Sequence, residues 1–490
     1  MKRMILKKLT ACLCLCAVLS GALSVPVGAA SFQDVPSNHW AADAIDRCAA
    51  QGWFQGKTAN TFGVGQPMTR AGFAVALSRF FGWQSSETYY QIFSDVPQGA
   101  WYEPALRACY EHGAVTRQTS DFRPGEPITR EELAVMLIRA LGYGPIAGLA
   151  ESDTLPFRDV STSKGHIVMA YELGLVSGTK NKLFVPDRYA TREQAAVILS
   201  RLYDKLHPAQ TANEAMVLLR SGEEAEDLSG YQTIVLMEGN LAGGQPPRLT
   251  LNSSHTQEQI KETAKVSGQT VLLGISGQSG VLKSTTAAAT AVAEALTDSS
   301  YDGVYLSITP SAENSDALAA FVQALRAAVP EKKLYVAASA PSRGKMTPDY
   351  QALGKAADRI VLQVAGYEDT DSAVPVYAME PLETVYYALS ALNDQIPGEK
   401  LALLLTAEGR GRKSTGKPTT FNGDTVAALE AQGHAYYSDR YACAYLETKD
   451  TVVWYLNEKA LEARQQLLRC FGVSSYCLTT PNGTLQAQES

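Results

Sequence analysis

Cysteine is scarce in this chain of 490 residues, which contains eight of them. Cys12, Cys14 and Cys16 fall in an apolar segment near the start. The five others are Cys48, Cys109, Cys443, Cys470 and Cys477. This sparse, odd-numbered set shows neither the framework of a disulfide-stabilised domain nor the paired spacing of metal ligands. The sequence therefore predicts no metal site and no cofactor, and leaves open one disulfide, with Cys470 and Cys477 as the nearest pair.

The chain also lacks an excess of positive charge and a glycine-rich phosphate loop. Lys and Arg number 43 against 50 Asp and Glu, which gives a net charge of −7. A negative net charge disfavours non-specific contact with a phosphate backbone, so no nucleic-acid partner is expected. The missing phosphate loop argues against a doubly wound nucleotide-binding sheet.

Long apolar runs are absent after the first thirty residues. Within 1–30, a basic start is followed by an apolar run and by small residues around Ala29 and Ala30, which is typical of a cleavable signal peptide. An uncleaved membrane anchor is the alternative. Removal of the leader takes away four basic residues and shifts the net charge to −11. We expect an exported mature chain with no transmembrane span and, at 483–490, no sorting-type tail.

The most informative feature is an internal repeat. Three segments open with Phe-x-Asp-Val, continue through a helical pattern to a glycine, and then reach a Thr-Arg pair. The aspartates are Asp34, Asp95 and Asp159, the glycines are Gly52, Gly113 and Gly174, and the threonines are Thr69, Thr129 and Thr191. A similar period at both ends of the segment indicates a true repeat. The glycines are predicted helix C-caps, and Cys48 and Cys109 are predicted small core residues.

The Thr-Arg pairs mark the start of a second helix in each repeat. Thr129 with Glu132, and Thr191 with Gln194, have the spacing of a capping box. The arginines that follow are Arg70, Arg130 and Arg192. A cation in the first helical turn opposes the helix dipole, so these residues suggest an anion held between guanidinium and free backbone N–H groups. The alternative is an idle arginine copied by duplication.

These motifs resemble three S-layer homology repeats, followed in the chain by a connector. The resemblance implies a pseudo-threefold all-α bundle that binds pyruvylated secondary cell-wall polysaccharide on a Gram-positive envelope. Arg70, Arg130 and Arg192 would then pair with the pyruvyl carboxylate, and Trp40 and Trp101 would pack near the sugar. Repeat 1 departs from the motif because Gly72 replaces its glutamate, and repeat 3 lacks the tryptophan. The expected boundaries are 31–89, 90–150 and 151–206 for the repeats and 207–228 for the connector.

The remaining residues, 229–482, alternate strand-like and helical segments. Eight apolar runs fit the strands of a (β/α)8 barrel, namely TIVLME, RLTL, TVLLGIS, GVYLSI, KLYVAAS, RIVLQVA, LALLLTA and VSSYCLT. A multidomain protein is therefore expected, with an all-α part and an α/β TIM barrel. An open doubly wound sheet is the alternative.

The order and the residues of these segments resemble those of glycoside hydrolase family 18, especially its spore-peptidoglycan branch. That family has a DGxDxDxE strand where this chain has YDGVYLSIT. Its glutamate protonates the glycosidic oxygen, and an aspartate steadies the substrate's own N-acetyl group. Here Asp302 remains, but Tyr305, Ser307 and Thr309 occupy the other three positions. The resemblance thus implies a barrel that has lost its general acid, which favours a pseudo-hydrolase over an enzyme, with Asp302 as a turn acceptor.

Three functional classes stay open for the barrel. A glycan-binding pseudo-hydrolase would use tyrosines such as Tyr305, Tyr367 and Tyr476 to line a cleft for peptidoglycan or another N-acetylated glycan. An active enzyme would need relocated carboxylates, for which Glu238 and Glu408 at predicted strand ends are the candidates. A purely structural envelope protein would need neither.

Overall fold

The computed structural model describes residues 32–479 with short gaps at 151–154, 209–213, 222, 224–226, 298, 312–313, 343–345, 347, 372–373 and 414–415. The predicted signal peptide at 1–30 and the tail at 483–490 lie outside these residues. The described chain forms two compact units. The first comprises 32–141, 155–170 and 175–201, and the second comprises the rest.

The first unit consists of three copies of a two-helix repeat. The first helices are Ala42–Ala50, Glu103–Glu111 and Lys164–Glu172, and the second helices are Arg70–Phe81, Arg130–Ala140 and Arg192–Leu206. A short helix, Gly144–Ala150, follows the second copy in the chain and is part of the second unit, as are the last residues of Lys164–Glu172 and Arg192–Leu206. The Thr129 hydroxyl accepts the N–H of Glu132, whose carboxylate accepts the N–H of Thr129, so the predicted capping box is present.

Backbone hydrogen bonds close the three repeats into a ring. The N–H of Met68 donates to Ala190 O at 2.9 Å, that of Ala190 to Ile128 O at 2.9 Å, and that of Ile128 to Met68 O at 2.8 Å. Each of these residues directly precedes the threonine that caps a second helix, and all three are buried. This cycle of equivalent bonds gives the unit the pseudo-threefold symmetry that the repeat implies.

Small buried residues let each first helix approach a second helix. Cys48 and Cys109 are fully buried, and their thiols donate to the carbonyls of Ala196 and Ala74 at 3.4 and 3.3 Å. Burial raises the pKa of both thiols to about 12. The glycine after each first helix, as at Gly52 with φ of 72°, adopts the left-handed conformation expected of a C-cap.

The second unit contains a closed barrel of eight parallel strands. In order around the barrel they are Glu214–Arg220, Thr233–Ala242, Thr270–Gln278, Gly303–Thr309, Lys333–Ser339, Arg359–Gln363, Leu401–Thr406 and Ser475–Thr479. The first strand pairs with both the second and the last, which closes the sheet. The helices after the later strands are His255–Val266, Thr285–Thr297, Ala317–Ala328, Tyr350–Ala356, Leu382–Leu392 and Glu458–Cys470. The TIM-barrel fold expected from the sequence is therefore present.

Two strand predictions are wrong. The first barrel strand, Glu214–Arg220, comes from the segment 207–228 that was predicted to be a connector. Its five-residue apolar run is buried, which is typical of a parallel strand covered on both faces, but acidic and small residues around it hide the pattern. The run RLTL is not a barrel strand, because Arg248–Leu251 pairs antiparallel with the end of the second strand.

The chain segment between the seventh barrel strand and the last helix forms an antiparallel sheet, which the sequence analysis did not predict. Its strands, in spatial order, are Thr419–Phe421, Gly409–Lys413, Thr451–Tyr455, Cys443–Glu447 and His434–Ser438, and the helix Gly423–Glu430 packs on one face. A Cβ atom on Gly411 would lie 2.0 Å from Val452 O, so that strand accepts no side chain there. A hairpin, Tyr367–Asp369 with Val376–Ala378, follows the sixth barrel strand.

The described cysteines are free, so the disulfide left open between Cys470 and Cys477 does not form. Both thiols are buried, as is that of Cys443. Within the described parts of the chain, no helix has the length and apolar character needed to cross a membrane.

Candidate functional site

The three predicted anion-binding arginines lie between the repeats. Each Nε donates to the carbonyl of a phenylalanine in the next repeat, and each guanidinium lies over that phenylalanine ring. The distances to carbonyl and ring centroid are 2.7 and 4.7 Å for Arg70 with Phe122, 2.9 and 4.6 Å for Arg130 with Phe184, and 2.9 and 4.8 Å for Arg192 with Phe62. Hydrogen bonding and cation–π attraction thus link the repeats in a ring. This structural role was not anticipated from the sequence.

The backbone N–H groups at the start of the second helices are already used. The N–H groups of Arg70, Arg130 and Arg192 donate to the carbonyls of Glu126, Arg188 and Gln66 at 2.9, 2.9 and 3.0 Å. In the first two repeats the next N–H group also donates to the neighbouring repeat, at 3.1 Å. The expectation that free N–H groups help to hold an anion is therefore wrong there, because these groups carry inter-repeat bonds. In the first two repeats only the outer nitrogens of the guanidinium remain for an anion.

The outer guanidinium nitrogens differ between the three arginines. Arg130 and Arg192 each donate one Nη to a carbonyl, of Ser177 and Gln55, at 2.7 Å. Arg70 instead forms an ion pair with Glu132, with Nη1 and Oε1 2.5 Å apart. Among the described residues no carboxylate pairs with Arg130 or Arg192. Burial lowers the pKa of all three arginines, because desolvation penalises the charged guanidinium. The charges of Glu132 on Arg70, Asp159 on Arg130 and Asp34 on Arg192 oppose this shift.

A cleft of about 280 Å³ lies beside Arg70 in the second repeat. Its charged lining residues are Arg70, Arg123, Arg139, Asp121, Glu131 and Glu132. Arg123 also contacts Glu132, with Nη2 2.8 Å from Oε1. Positive and negative side chains balance in this cleft, so it offers no net charge to an anion.

The aspartates of the Phe-x-Asp-Val motif hold the phenylalanines under the arginines. Asp34 accepts the N–H groups of Phe62, Gly63 and Val64 at 2.7, 2.7 and 3.1 Å. Asp95 and Asp159 accept the equivalent N–H groups in their own repeats. Partial burial raises the pKa of Asp34 and Asp159, but the backbone hydrogen bonds outweigh it and keep the pKa below its usual value. These aspartates are structural rather than ligand-binding.

Trp40 and Trp101 are exposed, as a sugar-binding role requires. Their side chains are 63% and 69% exposed, which is unusual for so large an apolar residue. Trp40 contacts the ring of His39, and Trp101 contacts the ring of Tyr102. Both rings can therefore accept a ligand.

The residues that were compared with the hydrolase signature lie at the fourth barrel strand, Gly303–Thr309, and directly before it. Tyr305 is fully buried in the barrel interior, while Ser307 is half-buried and Thr309 is exposed at the carboxyl end. Alternation places these three side chains on one face of the strand. Asp302 lies before the strand and accepts the N–H of Val271 at 2.7 Å, which fits a structural acceptor.

The two candidate replacement carboxylates have unrelated surroundings. Glu238 is buried, and its Oε2 accepts the hydroxyls of Ser253 and Tyr301 at 2.6 and 2.5 Å. Glu408 follows the seventh strand and pairs with Arg220, with Oε1 and Nη1 3.1 Å apart. Glu238 lies at a β-bulge between Met237 and Gly239, where the register with the third barrel strand shifts. Within the described residues the two carboxylates share no hydrogen-bond or ion-pair partner, so no contact joins Glu238 and Glu408 as a catalytic pair.

The three tyrosines predicted to line a glycan cleft do not share one surface. Tyr305 is enclosed in the barrel interior. Tyr476 is 7% exposed and neighbours the interior residue Cys477, so its side chain faces the outer layer. Tyr367 is 41% exposed and stacks on Tyr441 at 5.3 Å. The prediction is thus wrong for Tyr305 and Tyr476, because strand alternation sends them to opposite buried faces.

The sequence analysis did not identify two carboxylates near the carboxyl end of the barrel, Glu223 and Glu380. Glu223 lies 3.8 Å from the same Arg220 nitrogen that contacts Glu408. Glu380 is buried, and its carboxylate accepts the hydroxyl of Thr406 at 2.7 Å. Burial raises the pKa of Glu380 to about 7, although the Thr406 hydrogen bond and the Arg464 charge oppose the shift. No local pattern marks either residue, since Glu223 fell in the predicted connector and Glu380 in a loop.

Comparison with known families identifies the repeats. The S-layer homology domain model matches residues 31–74, 92–134 and 156–196. These segments contain the Phe-x-Asp-Val openings and the arginines that form the inter-repeat ring. The match agrees with the resemblance inferred from the sequence.

Curated relatives share the same part of the chain. An amylopullulanase of Thermoanaerobacterium thermosulfurigenes is 32% identical over 181 residues, which is 36% of this chain and 10% of that protein. An endoglucanase of Bacillus sp. (strain KSM-635) is 33% identical over 235 residues, 46% of this chain and 24% of that protein. The S-layer protein sap of Bacillus anthracis is 28% identical over 202 residues, which is 40% of this chain and 24% of that protein. The matches thus span at most a quarter of these relatives.

Solved structures similar to the chain include a chitinase from Chromobacterium violaceum and the spore cortex-lytic enzyme SleL of Bacillus megaterium. The first has 16% identity and a TM-score of 0.48, covering 56% of this chain and 96% of that one. The second has 13% identity and a TM-score of 0.47, covering 56% and 72%. With scores this low, the barrel assignment rests on the closed eight-stranded sheet itself. The chain is a cell-surface protein that carries three S-layer homology domains, followed in sequence by a TIM barrel.

Proposed function

We propose that the three S-layer homology domains anchor this protein non-covalently to a pyruvylated secondary cell-wall polysaccharide. The observation that carries this proposal is the state of Arg130 and Arg192. Both guanidiniums are held in place between repeats, and neither has a carboxylate partner among the described residues. A pyruvyl carboxylate supplies the missing anion through charge-assisted hydrogen bonds. The exposed rings of Trp40 and Trp101 suit stacking against sugar.

The test is binding of the full chain to purified walls before and after selective removal of their pyruvyl groups. We expect sedimentation with intact walls, loss of binding to stripped walls, and release by denaturant without wall digestion. Equal binding to stripped walls contradicts the role of the carboxylate. Changing all three arginines to alanine is a poor test, because it also removes the inter-repeat bonds.

For the barrel, we propose a non-hydrolytic role with at most weak binding of peptidoglycan or another N-acetylated glycan. Thr309 cannot donate a proton to a glycosidic oxygen, and Ser307 carries no charge to steady an acetamido group. Loss of general acid catalysis typically costs 10²–10⁴-fold in rate, so turnover is expected near background. The test is reducing-end release from chitin oligomers and peptidoglycan by the wild type and by Thr309→Glu, neither of which should exceed a protein-free control.

A hydrolase with relocated acids is the second candidate, and the structure favours a different pair for it. Glu408 and Glu223 both contact Arg220 at the carboxyl end of the barrel, where TIM-barrel sites lie. Release of reducing ends that is abolished by Glu408→Gln but not by Glu238→Gln supports this candidate. Robust release by the wild type refutes both the non-hydrolytic and the purely structural alternatives.

A further inference from the structure

The three S-layer homology domains differ at the third residue of the second helix. This residue is Gly72 in repeat 1, Glu132 in repeat 2 and Gln194 in repeat 3. Glu132 has two functions: its Oε2 accepts the N–H of Thr129 at 3.0 Å, and its Oε1 contacts Nη1 of Arg70 at 2.5 Å. One carboxylate therefore caps its own helix and neutralises the arginine of the preceding repeat.

The pseudo-threefold ring fixes which arginine each of these positions faces. By symmetry the pairs are Glu132 with Arg70, Gln194 with Arg130, and Gly72 with Arg192. The side-chain oxygen of Gln194 accepts the N–H of Thr191 at 3.2 Å, so the glutamine keeps this half of the capping box without the charge. The Thr191 hydroxyl accepts no N–H from the described residues, so the other half is absent. Gly72 supplies no side chain. Among the described residues, Arg130 and Arg192 therefore have no carboxylate in ion-pair contact, whereas Arg70 is paired with Glu132. The charges of Asp159 and Asp34 act on Arg130 and Arg192 without such a contact.

We propose that the third helical residue decides which inter-repeat sites bind the wall polymer. Arg130 and Arg192 each take a carboxylate of the polymer, and Arg70 takes none because Glu132 already occupies it. The side chains of Arg70 and Glu132 are only 13% and 26% exposed, so solvent and salt screen their attraction weakly. This inference rests on the proposed anchoring function. It predicts two anion sites in each chain, which a repetitive polymer engages together with increased avidity.

Two substitutions test the inference while leaving the arginine-to-carbonyl bonds in place. Gln194→Glu supplies Arg130 with an internal carboxylate and keeps an oxygen for the helix cap. We expect affinity for pyruvylated wall polysaccharide to fall roughly tenfold, the value of one charge-assisted hydrogen bond. Glu132→Gln releases Arg70 and also keeps the cap. We expect the number of bound pyruvyl groups to rise from two to three per chain.

Matched controls carry the same charge changes elsewhere in the unit. Glu87→Gln removes a carboxylate at an exposed position of the first unit, and Gln98→Glu adds one at an exposed position. Both controls are expected to bind like the wild type. Calorimetric titration of the full chain with the polysaccharide measures affinity and stoichiometry, and thermal unfolding verifies that each variant is folded.

The outcomes separate the two proposals. Failure of the wild type to bind the polysaccharide overturns both. Binding by the wild type with an unchanged affinity of folded Gln194→Glu overturns only the inference, as does an unchanged stoichiometry of Glu132→Gln. Loss of affinity in Gln98→Glu equal to that in Gln194→Glu assigns the effect to net charge and also contradicts it.

Discussion

At the scale of single residues, burial determines how charged side chains behave. Arg464 is fully buried, and its guanidinium donates to several backbone carbonyls, including those of Glu380 at 2.7 Å and Ala442 at 2.6 Å. Glu380 itself has φ of 33°, an unfavourable value for a residue other than glycine. Because its carbonyl and carboxylate are both bonded, this strained loop is fixed against the seventh barrel strand through Thr406.

We predict that Glu380→Gln stabilises the protein at alkaline pH. The folded pKa of about 7 lies above the unfolded value, so the contribution of Glu380 to stability is fully present below pH 4 and is lost as pH rises to 7. The shift corresponds to a cost on the order of 3 kcal/mol when the carboxyl is ionised. Thermal unfolding of the variant and wild type should agree at pH 4 and diverge at pH 8. The exposed control Glu331→Gln should show no such divergence, and equal melting temperatures of wild type and Glu380→Gln at pH 8 contradict the prediction.

At the scale of elements, the first barrel strand shows how weak a local signal can be. Only the run Ala215–Leu219 is apolar in a polar surrounding, yet it pairs with two neighbours and closes the sheet. The opposite case is Arg248–Leu251, whose apolar alternation belongs to an exposed edge strand. Strand identity in a barrel therefore depends on which partners are available, since burial on both faces comes from neighbours.

We predict that Val217→Asp in the full chain unfolds the barrel. Val217 is fully buried in the first strand, so the change buries an unpaired charge and should cost more than about 4 kcal/mol. Ser221→Asp, which lies one residue beyond the strand and is exposed, serves as the control. Circular dichroism and limited proteolysis report the loss of the barrel. Native-like behaviour of Val217→Asp would show that this segment is a connector after all.

At the scale of the whole molecule, the two units should lose stability at opposite ends of the pH range. Asp34 and Asp159 have a pKa below the usual value, so their contribution is present above about pH 4 and is lost as pH falls through the lower folded pKa. Glu380 acts in the opposite direction in the second unit. Maximal stability of the chain is expected between these limits.

We predict that Asp34→Asn weakens the first unit at neutral pH and raises the pH at which acid unfolds it. The loss of charge weakens hydrogen bonds to Phe62, Gly63 and Val64, and for a partly exposed group we expect a cost of about 1 kcal/mol. Tryptophan fluorescence suits this test, because four of the five tryptophans, Trp40, Trp53, Trp83 and Trp101, lie in this unit. Asp46→Asn, at an exposed helical position, should behave like the wild type. An acid midpoint of Asp34→Asn equal to that of the wild type contradicts the prediction.

The sequence alone determined the features that depend on residues close together in the chain. The period of the Phe-x-Asp-Val and Thr-Arg motifs predicts three helical repeats, the spacing of Thr129 and Glu132 predicts the capping box, and seven of the eight apolar runs correspond to barrel strands. These features depend on the periodicity of helices and strands over a few consecutive residues, and this periodicity is visible in the sequence itself.

Only the tertiary structure decided which side chains meet. Arg70 contacts Phe122 and Glu132 in the next repeat. Arg220 binds Glu408, which lies 188 residues away in the sequence, and Glu238 accepts the hydroxyl of Tyr301. No local pattern encodes these pairs, because they form only when the ring and the barrel close. The Thr-Arg motif therefore gives different results in the three repeats, because the side chains around each arginine come from the next repeat. Arg70 is paired with Glu132, whereas Arg130 and Arg192 have no ion-paired carboxylate among the described residues.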